Sequence, residues 1–296
     1  MTELQRNISI GLPVYNGSRY IKDTIQTILN QDYPFFELIL ADNCSNDMTE
    51  KICRDAMRGD ERIRYYRHKS NIGFLSNFYF TLHKAKFDCF MWIAADDQLA
   101  DSTYLSKLIS ALENDIDYVF PEVKVIDENN SVIEGEIMDP FRDAKTKWSF
   151  TLASLRVNSY QVYGLYRTKV LKADFRYLER CRSMKCFGEG LFVHAVSATR
   201  VGLYVPAACK LYRRHGANMS SVVSGKQQIP DFINYFTYSI SYFLSCKQFS
   251  VGQRYTLIIH KFFIDIPYFS YIFASALIEL LGIKRCVKKF IAGLRK

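Results

Sequence analysis

An apolar run, Cys89-Phe90-Met91-Trp92-Ile93, passes through Ala94-Ala95 and ends on two adjacent carboxylates, Asp96 and Asp97. A buried strand that terminates on two acids is costly unless they hold something cationic. Oxygen ligands of this kind suit a divalent metal, Mg²⁺ or Mn²⁺. Taken alone, the pair is equally explained by a solvated turn or a helix N-cap. Two further polar clusters, Tyr15-Asn16-Gly17 and Asp42-Asn43-Cys44-Ser45, also follow apolar runs. Whether the three clusters form one site depends on the elements that carry them.

Asn7 to Leu12 alternates apolar and polar residues and meets Pro13, which reads as a strand. Ser18 is placed to cap a helix whose apolar stripe is Ile21, Ile25, Ile28 and Leu29. Phe36 to Ala41 reads as a second strand, and Asn46 or Asp47 opens a second helix through Ile52 and Ala56. Ile63 to Arg67 is a third strand, Leu75 to Ala85 a helix, and Cys89 to Ala94 a fourth strand. Strictly alternating strands and helices predict a parallel sheet with helices on both faces. Each polar cluster then lies at the C-terminal end of a strand, on the one sheet edge where such folds bind ligands. Farther on, the amphipathic stretch Tyr104, Leu105, Leu108, Ile109 and Leu112 predicts a helix. Tyr118 to Ile126, Leu203 to Val205 and Cys209 to Tyr212 read as extended, and Gly188 to Thr199 as helical.

The chain of 296 residues is 49% hydrophobic and 23% charged, which makes it globular. Its formal net charge of +9 suits an anionic partner. Nucleic acid is set aside, because no basic run interleaved with stacking aromatics stands out before the C-terminal tail and no nucleic-acid motif is visible. The eight cysteines contain no CxxC pair and several lie in apolar runs, so reduced thiols in a cytosolic protein are expected. Met1 to Asn7 is polar and lacks the character of a signal peptide.

The composition shifts near Ser220, which divides the chain into residues 1–220 and 221–296. Phe232 to Ile283 is crowded with aromatic and aliphatic residues. The uncharged stretch Ile266 to Ile278 is far shorter than the roughly 20 residues of a spanning helix. Lys284, Arg285, Lys288, Lys289, Arg295 and Lys296 follow it. An apolar, aromatic helical region with a basic end suits the interface of an anionic membrane, and a helical unit packed on the core is the alternative.

Ile10-Gly11-Leu12-Pro13-Val14-Tyr15-Asn16-Gly17, then Leu40-Ala41-Asp42-Asn43-Cys44-Ser45-Asn46-Asp47, then Asn71-Ile72-Gly73, then Asp96-Asp97 together resemble a family 2 glycosyltransferase of the GT-A fold. The resemblance runs from about Ile8 to Ser220. It implies a Rossmann-like, mostly parallel central sheet and a nucleotide-sugar donor. Pro13, Tyr15 and Asn16 fall in the loop that contacts the nucleotide base. Asp42 matches the acid that accepts a hydrogen bond from the base, and an Asx-turn is its structural alternative. Asn71 and Gly73 match a loop near the nucleotide. Asp96 matches a ribose contact and Asp97 a ligand of the divalent metal (Mn²⁺ or Mg²⁺). Phe187-Gly188-Glu189 resembles the segment holding the catalytic base, with Gly190 where many relatives carry a second acid. Tyr212-Arg213-Arg214-His215 resembles a late motif in which Arg213 or Arg214 pairs with the diphosphate and His215 completes the metal shell or contacts phosphate.

These expectations describe an inverting transferase with Glu189 as base. Its acceptor would be a lipid-linked or surface glycan in bacteria, at the cytoplasmic face of the cell membrane. Ala94 stands where the family pattern has another acid. With Gly190, it keeps open a degenerate binding or scaffold protein that holds a nucleotide sugar without turnover. A dinucleotide enzyme is disfavoured, because no GxGxxG follows the first strand.

Overall fold

The computed structural model describes residues 6–134, 139–156, 160–175, 179, 188–216, 225–261 and 264–265. Strands β1 (Ile8–Val14), β2 (Phe36–Asp42), β3 (Ile63–Arg67) and β4 (Cys89–Trp92) pair in parallel in the order β3-β2-β1-β4. Helices α1 (Ile21–Leu29), α2 (Thr49–Gly59) and α3 (Phe74–Lys84) are the crossovers between them. The remaining strands are β5 (Gln98–Leu99), β6 (Tyr118–Ile126), β7 (Val132–Glu134), β8 (Leu165–Arg167) and β9 (Gly202–Arg213). They extend the sheet as β4-β8-β6-β9-β5, with β7 on β6. β8 is antiparallel to β4 and β6, while β6 and β9 are parallel. The sheet is therefore parallel in its first half and mixed in its second.

β1, β2 and β4 are buried along their whole length because both faces are covered, whereas edge strand β3 is buried only at Ile63. In β4, Met91 joins Ile10, Ile25 and Leu105 on one side, and Phe90 and Trp92 join Phe78 and Phe120 on the other. Helix α4 (Tyr104–Ala111) closes the first side. The second side is closed by α3, α5 (Lys147–Arg156) and α7 (Gly188–Thr199), with α6 (Thr168–Asp174) packed beside them.

Four local expectations differ from the structure. Pro13 does not end β1, which runs on to Val14 opposite Asp42. The proline lacks an N–H only on the β4 side, where pairing has stopped at Gly11 opposite Trp92, so no ladder bond is lost. Ser18 does not cap α1; its amide instead donates to Asp47 Oδ2. Asp47 also accepts from the Thr49 amide, and α2 begins at Thr49. The two extended segments near 203 and 210 are one strand, β9. It passes a bulge where Pro121 faces Val205 and Glu122 faces Cys209.

Beyond Gly216, α8 (Gly225–Ser245) and α9 (residues 251–261) dock on the second side of the sheet. Tyr235, Tyr242, Phe243, Phe249 and Leu257 share one apolar cluster with Phe192, Ala195 and Val196 of α7. Among the described residues no helix is long and apolar enough to cross a membrane. Ile266 to Ile278 and the basic tail lie outside the described residues.

At the far edge from the polar clusters, buried Glu37 ties three strands together. Its carboxylate accepts from Ser9 Oγ at 2.7 Å, the Lys86 amide at 2.8 Å and Arg64 at 2.6 Å. Removing a buried charged acceptor leaves several donors unpaired. Glu37→Ala is expected to lower unfolding stability by about 2–4 kcal/mol, read from urea unfolding. Glu37→Gln keeps one acceptor and should lose less.

Candidate functional site

The loops leaving β1, β2 and β3 are bound to one another before any ligand is considered. The β1–α1 loop is laced to the β2–α2 loop. Asn16 N donates to Ser45 Oγ at 2.9 Å, Asn46 N donates to Asn16 Oδ1 at 3.0 Å, and Gly17 N donates to Thr49 Oγ1 at 2.9 Å. Asn16 and Cys44 both adopt left-handed backbone, with φ of 51° and 67°. Asn tolerates this conformation best among non-glycine residues. Tyr15 and Asn16 project from the laced pair into solvent.

Asp42 and Asn43 divide the work beneath. Asp42 is fully buried; Oδ1 accepts from the Ser45 amide at 2.8 Å, and Oδ2 accepts from the Tyr65 hydroxyl at 2.8 Å. Arg67 Nε lies 3.4 Å from Oδ2. This carboxylate builds the turn and is shut off from solvent, in contrast to the expectation that it meets a base. Asn43 reaches the third loop: it donates to Asn71 Oδ1 at 3.0 Å and accepts from the Ile72 amide at 2.8 Å. Asn71, Ile72 and Gly73 are thereby held at the exposed rim. Gly73 sits at φ +86°, where only glycine is unstrained.

The acid pair splits into two environments. Asp97 is completely buried, and Lys210 Nζ of β9 lies 2.5 Å from its Oδ2. The contact has the geometry of an ion pair rather than an aligned hydrogen bond. The ammonium also stands 3.4 Å from the centroid of the Tyr163 ring. Asp97 Oδ1 accepts from the Arg213 amide at 3.0 Å. Burial pushes both partners toward their neutral forms, and their mutual attraction opposes it. Asp97 therefore faces Lys210 rather than solvent, a different setting from the open metal ligand expected of it. Thr24 of α1, also buried, donates to the carbonyls of Ala95 and Asp97 and fixes the turn from the other side.

Asp96 remains half-exposed, and its Oδ2 is 2.9 Å from His215 Nε2. Arg213 is also placed differently from expectation. It is buried, with Nε on the Asp96 carbonyl, one terminal nitrogen on the Asp127 carbonyl and the other on Asn130 Oδ1. It stacks over Tyr20, 4.8 Å from the ring centroid, and Tyr20 in turn packs against His215. The guanidinium is thus committed to fixing three segments of chain.

Glu189 lies in the first turn of α7, where the helix dipole favours a carboxylate. Burial raises its carboxyl above the ordinary range, partly offset by a backbone hydrogen bond. Tyr163 links it to the acid pair. Burial pushes that hydroxyl far up, and the negative charges of Asp97, Glu189 and Asp96 push it further. The charges of Asp97, Glu189 and Asp96, from two distant parts of the sequence, therefore all bear on the Tyr163 hydroxyl.

A carboxylate oxygen suits Mn²⁺ or Mg²⁺ and an imidazole nitrogen suits a transition metal, so Asp96 with His215 fits Mn²⁺ the better of the two. Among the described residues no group of three His, Cys, Asp or Glu side chains could hold an ion alone. Two protein ligands fit an ion that takes its other ligands from a phosphorylated substrate.

Several residues of this centre escaped the sequence reading. Lys210 was legible only as a lone charge in an apolar strand, a position that demands a partner. Thr24 and Tyr20 carry no such signal, and Asn43 was legible as part of the polar cluster after β2 but not as the clamp on the third loop. Of the aromatic residues near the site, Trp92 is core, donating to Thr81 Oγ1 at 2.9 Å, and Tyr160 packs on Tyr212. Because Asp97 and Lys210 depend on each other, Lys210→Met should cost about 3–5 kcal/mol in urea unfolding. Combining it with Asp97→Leu should restore most of that loss.

Comparison with known proteins agrees with this architecture. The pattern of Glycosyl transferase family 2 matches residues 9–174, more than half of the chain. An uncharacterized glycosyltransferase of Haemophilus influenzae is 24% identical over 239 residues, covering 74% of this chain and 69% of that protein. The Bacillus subtilis protein TuaG, described as a putative teichuronic acid biosynthesis glycosyltransferase, is 37% identical over 73 residues, which span 25% of this chain and only 29% of TuaG. Among solved structures, S. aureus TarS 1-349 in complex with UDP-GlcNAc superposes with a TM-score of 0.68 at 16% identity, over 88% of this chain and 73% of that one. The mannosyltransferase PcManGT of Pyrobaculum calidifontis, in complex with GDP-Man and Mn²⁺, gives 0.59 at 12% identity, over 98% of this chain and 80% of that one. These likenesses identify a GT-A-like fold, and with the matched pattern they make the chain a glycosyltransferase belonging to Glycosyl transferase family 2.

Proposed function

We propose that this glycosyltransferase inverts the anomeric centre in one displacement. The donor is a nucleoside-diphosphate sugar, and a UDP-sugar is favoured because the TarS structure holds UDP-GlcNAc. Tyr15, Asn16 and the Asn71–Gly73 loop form the rim for the nucleoside, with Pro13 shaping the strand end beneath them. Asp96 faces the ribose and diphosphate. Asp96 and His215 would hold the divalent ion, which when bound supplies positive charge against the departing diphosphate. Arg213 and Lys210 keep that pair in place without touching substrate.

Glu189 accepts the proton of the acceptor hydroxyl. The freed oxygen bonds to the anomeric carbon, and the sugar–phosphate bond breaks with its electron pair leaving on the nucleoside diphosphate. No covalent enzyme intermediate is required. The observation that carries the reading is the Asp96–His215 pair at the sheet edge, supported by the electrostatic influence of both Asp96 and Glu189 on the Tyr163 hydroxyl.

The acceptor we favour is a lipid-linked or surface glycan, supported by the teichuronic acid name of TuaG. A peripheral contact with the inner face of the cell membrane agrees with the basic net charge and with exposed Ile233, Tyr238, Leu244, Val251, Tyr255 and Ile259 on α8 and α9.

Thermal-shift measurements with UDP, GDP, dTDP and CMP, each with and without Mn²⁺, test the donor class. One diphosphate should raise the midpoint, more so with Mn²⁺, and Asp96→Asn should erase the Mn²⁺ increment. No shift with any nucleotide from folded protein would favour the scaffold reading. Glu189→Gln should reduce transfer by at least about 100-fold while leaving the nucleotide shift intact.

Glu189 also makes a pH prediction. Its folded pKa is raised above the unfolded value, so its contribution to stability is full below the unfolded pKa and is lost as pH rises through the folded one. At neutral pH Glu189→Gln should therefore raise the melting midpoint even as it removes activity. The acid limb of kcat/KM should lie above the ordinary Glu range.

A further inference from the structure

The first turn of α7, which carries Glu189, is covered by α8. A Cβ on Gly190 would fall 2.7 Å from Cε2 of Tyr235 and 2.9 Å from its hydroxyl oxygen. Only glycine lets the ring lie this close to the residue after the proposed base.

The ring is itself pinned. Lys261 Nζ donates to the Tyr235 oxygen at 2.6 Å and to Asp265 Oδ1 at 3.0 Å. The same oxygen is 2.9 Å from His194 Nε2, and His194 Nδ1 is 3.1 Å from Ser154 Oγ. Ser154 donates onward to the Thr151 carbonyl at 2.7 Å. Burial, with the Lys261 charge second, holds the imidazole neutral. One proton order fits these contacts. Lys261 donates to Tyr235, Tyr235 to His194 Nε2, His194 Nδ1–H to Ser154, and Ser154 to Thr151. The chain crosses from α9 through α8 and α7 to α5, and Ser154, His194, Tyr235, Lys261 and Asp265 are all buried.

A phenylalanine would cover Gly190 as well as a tyrosine does. A buried lysine, a neutral histidine and two hydroxyls are costly groups unless every one is satisfied, and a fully satisfied chain fixes geometry. We infer that Tyr235 is a positioning residue for Glu189: the polar chain holds its ring against Gly190 and so sets the first turn of α7. This rests on the reading of Glu189 as the base. It makes the C-terminal helices part of the transfer machinery, and it gives Gly190 a reason to lack the second acid.

The test combines turnover and hydrogen exchange on the full chain. Turnover is read as UDP released from UDP-GlcNAc and GDP released from GDP-mannose in the presence of Mn²⁺. Tyr235→Phe keeps the ring and removes the hydroxyl bonds. Its kcat should fall about tenfold with donor KM within about twofold, and amides of residues 189–193 should exchange at least about tenfold faster while those of β1 stay unchanged. Gly190→Ala should fall on the order of 10- to 100-fold in kcat. Gly190→Ala with Tyr235→Leu should be no slower than the worse single variant, because the contact is already gone. Losses that multiply in the double variant, a change confined to KM, or wild-type exchange at residues 189–193 in Tyr235→Phe would each overturn the inference. The exchange arm needs no donor. Glu189→Gln separates the two failures: wild-type turnover there rejects the base and this inference with it, whereas lost turnover with multiplying losses rejects the positioning role alone.

Discussion

The ion pair between Asp97 and Lys210 is the constraint on which the site depends. It joins the turn leaving β4 to the end of β9, two segments 113 residues apart by number that meet only because β9 returns beside β6 and β5. Neither charge is tolerable in that position without the other. Once they are paired, Asp97 can also take the Arg213 amide, and Arg213 can bind the Asp96 carbonyl and the β6–β7 loop. His215 arrives on Asp96 as a consequence. The half-exposed carboxylate is held in place because its buried neighbour is structural.

The same division of labour recurs around the sheet edge. Asp42 and Asn43 are adjacent, yet one is sealed inside a turn and the other clamps the Asn71–Gly73 loop. In each pair the more buried residue fixes backbone so that exposed groups can be held without a ligand. A site organised this way loses little entropy when substrate binds. The C-terminal helices follow the pattern, since their buried polar chain abuts the helix that bears Glu189.

Much of this was legible in the sequence, for identifiable reasons. β1, β2 and β4 stood out because segments buried on both faces alternate with amphipathic helices, and β6 was legible in its full extent. The polar clusters were located correctly because strand ends in such a fold share one edge. What could not be read was which of two neighbouring polar residues faces inward. Asp96 and Asp97 differ by one position, and the choice is made by Lys210, a residue more than a hundred positions away. The setting of Arg213 was unreadable for the same reason: its partners, the Asp127 carbonyl and Asn130, come from a loop that carries no chemical signature. Pro13 misled locally because the missing N–H falls on a side of β1 where no strand remains to receive it.

Diffraction from crystals grown with UDP and Mn²⁺, using the anomalous signal of manganese, tests the central claim most directly. The account predicts the ion bonded to Asp96 and His215, with Lys210 still seated on Asp97. An ion bonded to Asp97 with Lys210 displaced, or an ion away from both residues, would contradict it.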